Sequence, residues 1–227
     1  MRWAREIIVV ENDSTDATVD LARHAGATVM SNPFTTIGAQ RNVAISRATS
    51  DWIFVVDADE RGSPALGDEI ARVVASPAGR EAFRVPRRNF FLSREVKHGG
   101  WASDRPIRLF GSSLRYNASR VHEHVDVKGE IGELNESLVH STYLSLDDYF
   151  EKLDRYSKWW AEDRYERGKR ARALSVVFRP PARFVSMYLL RGGWMDGAAG
   201  AVLCSLAAAS VMAKYARLWE RSFRSER

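Results

Sequence analysis

Trp52-Ile53-Phe54-Val55-Val56 runs straight into Asp57-Ala58-Asp59-Glu60, and this stretch decides the fold. Five apolar residues, aromatic or β-branched, read as a buried strand. Three acids in four residues then mark the strand's carboxyl end. Upstream, Ile7-Ile8-Val9-Val10 is a second such run, followed by polar Glu11-Asn12-Asp13-Ser14-Thr15. Asp13-Ser14-Thr15 offers N-caps for a helix through Ala25, which Gly26 stops. Ala27–Met30 reads as a strand, and Thr36–Ala48 as a helix with Ile37, Ala44, Ile45 and Ala48 on one face. Downstream, Ser63-Pro64 caps and starts another helix, with Leu66, Ile70 and Val73 turned inward.

The resulting βαβαβα order predicts an α/β domain with a mostly parallel sheet and helices on both faces. In such sheets ligands bind beyond the carboxyl ends of the strands, where the polar clusters after Val10 and Val56 lie. From Phe83 to His140 the pattern changes to short strands, such as Phe83–Pro86 and Ile107–Phe110, between glycine-rich and polar turns. Leu146 to about Arg172 reads as a long helix, Pro180-Pro181 interrupts the next apolar stretch, and Ala198–Ser222 reads as a final helix. The expected division is a domain over residues 1–140 and a basic, amphipathic helical region over 141–227.

The chain's single cysteine, Cys204, excludes an internal disulfide and a cysteine zinc cluster. The net charge of +5 is uneven: residues 164–191 hold eight Lys and Arg against Glu166 alone. Such a block among aromatic residues suits an anionic membrane surface. Nucleic acid is the rival partner, but no recognition motif accompanies the charge. Met1-Arg2-Trp3-Ala4-Arg5 runs into a strand pattern rather than a signal peptide. Ala198–Ala213 is almost wholly apolar but shorter than the roughly 20 residues that span a bilayer, so it is expected to be buried or interfacial.

Asp57 and Asp59 share one face of an extended chain. Two close carboxylates repel unless a positive charge lies between them. A hard divalent ion, Mg²⁺ or Mn²⁺, bridging to phosphate oxygens meets that need. An aspartyl phosphatase also ends a strand on Asp-x-Asp, but it wants Thr or Val where this chain has Arg61. Asp104, after Gly99-Gly100-Trp101, is a carboxylate suited either to capping a turn or to proton transfer. His122-Glu123-His124 places two imidazoles on one strand face, too few for a zinc centre without a third ligand. His140, and Trp159-Trp160, which reads as helix core, are weaker signals.

Several of these stretches resemble glycosyltransferase family 2. Ile8–Thr18 looks like the family's second-strand signature, Ala39-Gln40-Arg41-Asn42 like its following helix, and Trp52–Glu60 like its acidic strand end. Asn89-Phe90-Phe91-Leu92, His98-Gly99-Gly100-Trp101, Arg108-Leu109-Phe110 and Val121-His122-Glu123 resemble the branch that includes lipopolysaccharide-core β-glucosyltransferases. The resemblance implies a GT-A fold, a nucleotide-diphosphate sugar donor (a UDP-sugar first), and one inverting displacement. It implies nucleotide-binding roles for Glu11, Asp13, Arg41 and Asp57, with a helix-surface arginine the alternative for Arg41. It implies metal contacts for Asp59, Asp57 and His122, a catalytic role for Asp104, and acceptor contacts for Trp101 and Glu123. Asp13 stands where the family has glycine.

The family opens with one further strand and helix, and Met1-Arg2-Trp3-Ala4 resembles the tail of that helix, so the first βα unit is expected to be missing. The expected function is hexose transfer to a lipid-linked or lipopolysaccharide-core hydroxyl, on the cytoplasmic face of the cell membrane. The alternatives are a catalytically silent relative that docks on membranes and a basic nucleic-acid-binding protein.

Overall fold

The structure, a computed structural model, describes residues 3–101, 103–119 and 123–224. The elements run β1 (Ile8–Glu11), α1 (Thr18–His24), β2 (Thr28–Ser31), α2 (Ile37–Arg47), β3 (Trp52–Phe54), β4 (Glu60–Gly62), α3 (Pro64–Ala75), β5 (Arg80–Arg84), β6 (Arg87–Phe91) and β7 (Arg94–Val96). There follow β8 (Ile107–Gly111), β9 (Glu130–Glu133), β10 (Leu138–Tyr143), α4 (Leu146–Glu166), α5 (Ala173–Val185) and α6 (Gly197–Arg224). A π-helical turn, Ser186–Leu190, and a 3-10 turn, Gly193–Asp196, join α5 to α6. The α/β class is borne out.

The chain forms two compact units. One comprises residues 1–86 and 105–138, the other 87–104 and 139–227. The expected boundary near residue 140 lies beside the crossing at 138–139, but the hairpin of 87–104 groups with the C-terminal helices.

In the first unit β1 and β2 pair in parallel, Val9 beside Val29. The parallel order does not extend to β3. That strand joins the sheet β3-β8-β5-β9, where β8 runs antiparallel to both neighbours and β9 parallel to β5. Strand pairing is therefore more mixed than the βαβ pattern alone implies. The late strands β8 and β9 enter the sheet where local periodicity cannot place them. Leu66 and Ile70 of α3 pack with Phe83, Val85, Leu109, Leu134 and Leu138 on one side. Ile45 of α2 packs with Ala82, Phe110, Tyr116 and Val125. The Ser63 cap falls where expected, its hydroxyl accepting from the Leu66 amide at 3.1 Å, and Thr36, read as helical, instead caps α2 by accepting from the Ala39 amide at 3.1 Å. The first helix begins later than its Asp13-Ser14-Thr15 signal, at Thr18, with no side-chain cap.

In the second unit β6 and β7 form a hairpin, Phe91 opposite Arg94, with β10 on the other side of β6. Its two-residue turn, Leu92-Ser93, has φ of 47° and 64°, the primed geometry that matches strand twist. α4 ends before Gly168, which takes φ 74°. Pro180 and Pro181 do not break the next stretch but lie inside α5. Each removes an amide that would have bonded to the carbonyl four residues earlier. α6 runs 28 residues, longer than the apolar stretch picked out in the sequence. The span Gly193–Phe223 is long and apolar enough to cross a membrane by length and composition. Here its residues Leu203, Cys204 and Leu218 are buried within the unit, and the Tyr149 hydroxyl donates to the Leu206 carbonyl at 2.5 Å.

Candidate active site

The acidic stretch after β3 is closed into a turn by its own groups. The Glu60 amide donates to the Asp57 carbonyl, and the Asp57 amide to Glu60 Oε2, both at 2.9 Å. The side chain of Glu60 is wholly buried. Its counter-charge comes from the neighbouring strand. The register Phe54 to Leu109 continues as Val55 N–H to the Arg108 carbonyl at 2.8 Å, so Arg108 lies beside the base of the turn. Arg108 Nη2 donates to Glu60 Oε1 at 2.8 Å and also to Asp57 Oδ2.

A second guanidinium arrives from α2. Arg41 Nη2 donates to both oxygens of Asp57, at 2.6 and 2.9 Å, and Nη1 to Glu123 at 2.8 Å. The Arg41 side chain is 13% exposed and its guanidinium lies 4.8 Å from the Tyr116 ring centre. It is neither a helix-surface arginine nor poised toward open solvent. Neighbouring residues hold it there. The Asn42 side-chain amide exchanges two 2.9 Å hydrogen bonds with the Tyr116 backbone. A Cβ on Gly38 would come within 2.8 Å of the Asn117 carbonyl, so glycine permits this close approach of α2.

The electrostatics follow. Burial opposes ionisation of Asp57, but Arg108 and Arg41 outweigh it and hold the carboxyl below its ordinary value. Burial likewise works against the charge on Arg108, and Asp57 and Glu60 more than restore it. Tyr116 is pushed up by burial, against the pull of both arginines. Two guanidinium groups thus face three carboxylates: Asp57, Glu60 and Glu123. Asp59, half-buried on the same turn, adds a fourth. An anionic ligand beside these carboxylates is favoured when a cation accompanies it. The sequence assigns Asp59 and Asp57 to a divalent ion, which takes hard oxygen ligands. Asp57 does not fit that role as simply as the sequence suggests, because both of its oxygens already serve arginines. Among the described residues no three His, Cys, Asp or Glu gather into a metal cage, so an ion here would depend on ligand oxygens as well. His122 lies outside the described residues.

Glu11 and Asp13 occupy the loop after β1. Glu11 accepts from the Ser14 amide at 2.8 Å, and this bond, with one from the Ser31 hydroxyl, lowers its pKa. Asp13 has φ 49°, the left-handed region. Asp tolerates this conformation better than most residues, which fits a position where the sequence resemblance leads one to expect glycine. Asn12 Oδ1 accepts from the Phe34 amide at 2.9 Å and fixes the loop to the segment before α2. Among the described residues the hydrogen bonds of Glu11 stay within its loop and to Ser31. Glu123 is taken up by Arg41 rather than left open to an acceptor.

Asp104 and Trp101 belong to the other unit. Arg87 Nη1 donates to Asp104 Oδ2 at 3.1 Å, and the Asp104 side chain is 36% exposed. The half-buried Trp101 packs against Phe91, Val96 and Leu203, and its carbonyl accepts from Asn89 at 3.0 Å. Asn89 also meets His140 at 2.7 Å, which gives His140 a structural role. His98, from the His-Gly-Gly-Trp stretch, is held by Asp196, its ring Nδ1 and its amide each 2.8 Å from the carboxylate.

Sequence reasoning places Arg108 and Glu60 within motifs but gives neither a role, and it passes over Tyr116. A signal exists for Arg108: a cation in an apolar strand must find carboxylates.

Residues 4–99 match the family described as Glycosyl transferase family 2. The chain is 29% identical over 224 residues to the lipopolysaccharide core biosynthesis glycosyltransferase LpsC of Rhizobium meliloti, covering 95% of this chain and 83% of that protein. It is 27% identical to an uncharacterized glycosyltransferase of Rickettsia typhi, covering 97% and 80%. Among solved structures it is similar to S. aureus TarS 1-349, at 12% identity and a TM-score of 0.42, covering 98% of this chain and 82% of that one.

Proposed function

As a member of glycosyltransferase family 2, the chain, we propose, moves a hexose with inversion from a nucleotide-diphosphate sugar to a hydroxyl of a lipid-linked or lipopolysaccharide-core acceptor. The observation that carries this reading is the cluster at the end of β3, where Arg41 and Arg108 clamp Asp57 and Asp59 stands on the adjoining turn. Asp59 would hold the Mn²⁺ or Mg²⁺ ion. When bound, that ion supplies Lewis-acid stabilisation of the leaving diphosphate. Asp57 fixes the two guanidinium groups, and Glu60, locked by Arg108, fixes the turn. Glu11 and Asp13 shape the nucleoside end of the site.

In the transfer the acceptor oxygen attacks the anomeric carbon from the side opposite the leaving group. The bond to the diphosphate oxygen breaks, and the acceptor proton passes to Asp104. The acceptor class is taken from the relative whose name places it in lipopolysaccharide core biosynthesis. The basic segment of residues 164–191 suits a peripheral enzyme on the inner leaflet. The test is release of nucleoside diphosphate from UDP-hexose with and without Mn²⁺, with membrane glycolipid as acceptor. Metal-dependent release stimulated by acceptor supports the reading, and no release under any condition contradicts it.

A further inference from the structure

α5 leaves a long apolar ridge exposed. Along its 13 residues none is buried, and Leu174, Val177, Phe178 and Val185 recur at helical spacing on one face. These side chains are 44–65% exposed, and the ridge continues through Leu189 and Leu190, at 57% and 79%. Val176, Pro180 and Phe184 are half-buried, while Arg179 and Arg183 are exposed, the Arg179 guanidinium lying 4.6 Å from the Tyr215 ring centre of α6. Exposed apolar ridges of this length mark interaction sites.

We propose that this ridge is seated in the headgroup and acyl boundary of an anionic bilayer, with α5 parallel to the membrane plane. The proposal deepens the reading of the chain as a peripheral membrane enzyme and rests on it. Charge decides the occupant. Exposed Lys169, Arg170 and Arg172 precede the ridge and exposed Arg191 follows it, with Glu166 the only acid from 164 to 191. Cations at both ends of an apolar stripe match lipid phosphates over acyl chains. The same cations would face each other across a second copy packed antiparallel on this face. Trp194, 56% exposed just beyond the ridge, is the residue type that settles at a membrane interface. The sequence offers apolar Phe184, Met187, Tyr188 and Leu189 for shallow insertion. In the structure Leu189 is exposed, but Met187 is only 2% exposed and Phe184 and Tyr188 are half-buried, so Leu189 inserts with the other ridge residues.

The experiment compares the full chain with the double variant Phe178→Asp, Leu190→Asp by sedimentation with vesicles of phosphatidylcholine alone or with about one-third phosphatidylglycerol. The wild type should bind the anionic vesicles. The variant should bind them at least about tenfold more weakly, because two carboxylates replace the apolar groups that enter the acyl region. Both side chains are exposed, so the melting temperature should be unchanged. If the variant misfolds, quenching of wild-type fluorescence by brominated lipid, diminished in Trp194→Phe, carries the same test. Equal binding by wild type and variant, or quenching that Trp194→Phe leaves intact, overturns this surface while leaving peripheral docking standing. No binding of wild type to anionic vesicles overturns both. Dimerisation of the wild type that the variant abolishes, without vesicle binding, assigns the ridge to a second copy instead.

Discussion

Arg108 and Asp57 meet across the β3–β8 pair, the arginine from a buried strand position and the aspartate from the turn that ends β3. Through the same Nη2, Arg108 also holds buried Glu60, so one guanidinium fixes both ends of the acidic turn. Arg108→Met should therefore destabilise the first unit by about 3–5 kcal/mol, the usual cost of leaving a buried charge without its partner. Arg108→Lys, which keeps the charge but not the fork, should cost less. Urea denaturation of the three proteins measures this, and equal midpoints would show that the contact contributes no stability.

Asp57 makes stability pH-dependent in one direction. Its folded pKa is depressed, so its contribution is complete above the ordinary carboxylate value and is lost as pH falls through the folded value. Melting temperature should then decline below about pH 4. Asp57→Asn should flatten that decline while lowering stability at neutral pH, because Arg41 and Arg108 lose their shared carboxylate. A mutant whose acid limb matches the wild type would assign the acid sensitivity to other carboxylates.

Asp104 is predicted to act in the chemical step only. Asp104→Asn should leave donor binding unchanged and lower turnover by about two to four orders of magnitude. Its contact with Arg87 supplies a rival structural role. A variant that keeps its turnover but melts earlier would favour that role.

Much of the first unit is legible in the sequence. Ile8–Glu11, Thr28–Ser31 and the helices capped by Thr36 and Ser63 follow from apolar periodicity and cap chemistry, which are local. What escapes is what distant residues supply. Nothing near Trp52 announces that its strand pairs with Ile107–Gly111, about fifty residues on, and it is that pairing that delivers Arg108. Asp57 illustrates the same limit. Two acids on one strand face predict a cation between them, and cations are present, but they are guanidinium groups from α2 and β8. The left-handed φ of Asp13 fits a position where glycine is expected, though its residue type alone does not disclose the geometry. Pro180-Pro181 reads as a break because the rule describes isolated helices. In α5 the packing along α6 keeps the helix continuous.

On the proposed function, the turn carrying Asp59 binds a nucleotide diphosphate with a divalent ion. Calorimetric titration of UDP into the full chain, with and without Mn²⁺, tests it most directly, using wild type and Asp59→Asn. Mn²⁺ should tighten UDP binding to wild type by about tenfold or more, since a divalent ion supplies counter-charge for the diphosphate, and Asp59→Asn should lose this gain. UDP binding of equal affinity with and without Mn²⁺, or the same Mn²⁺ gain in Asp59→Asn, would contradict it.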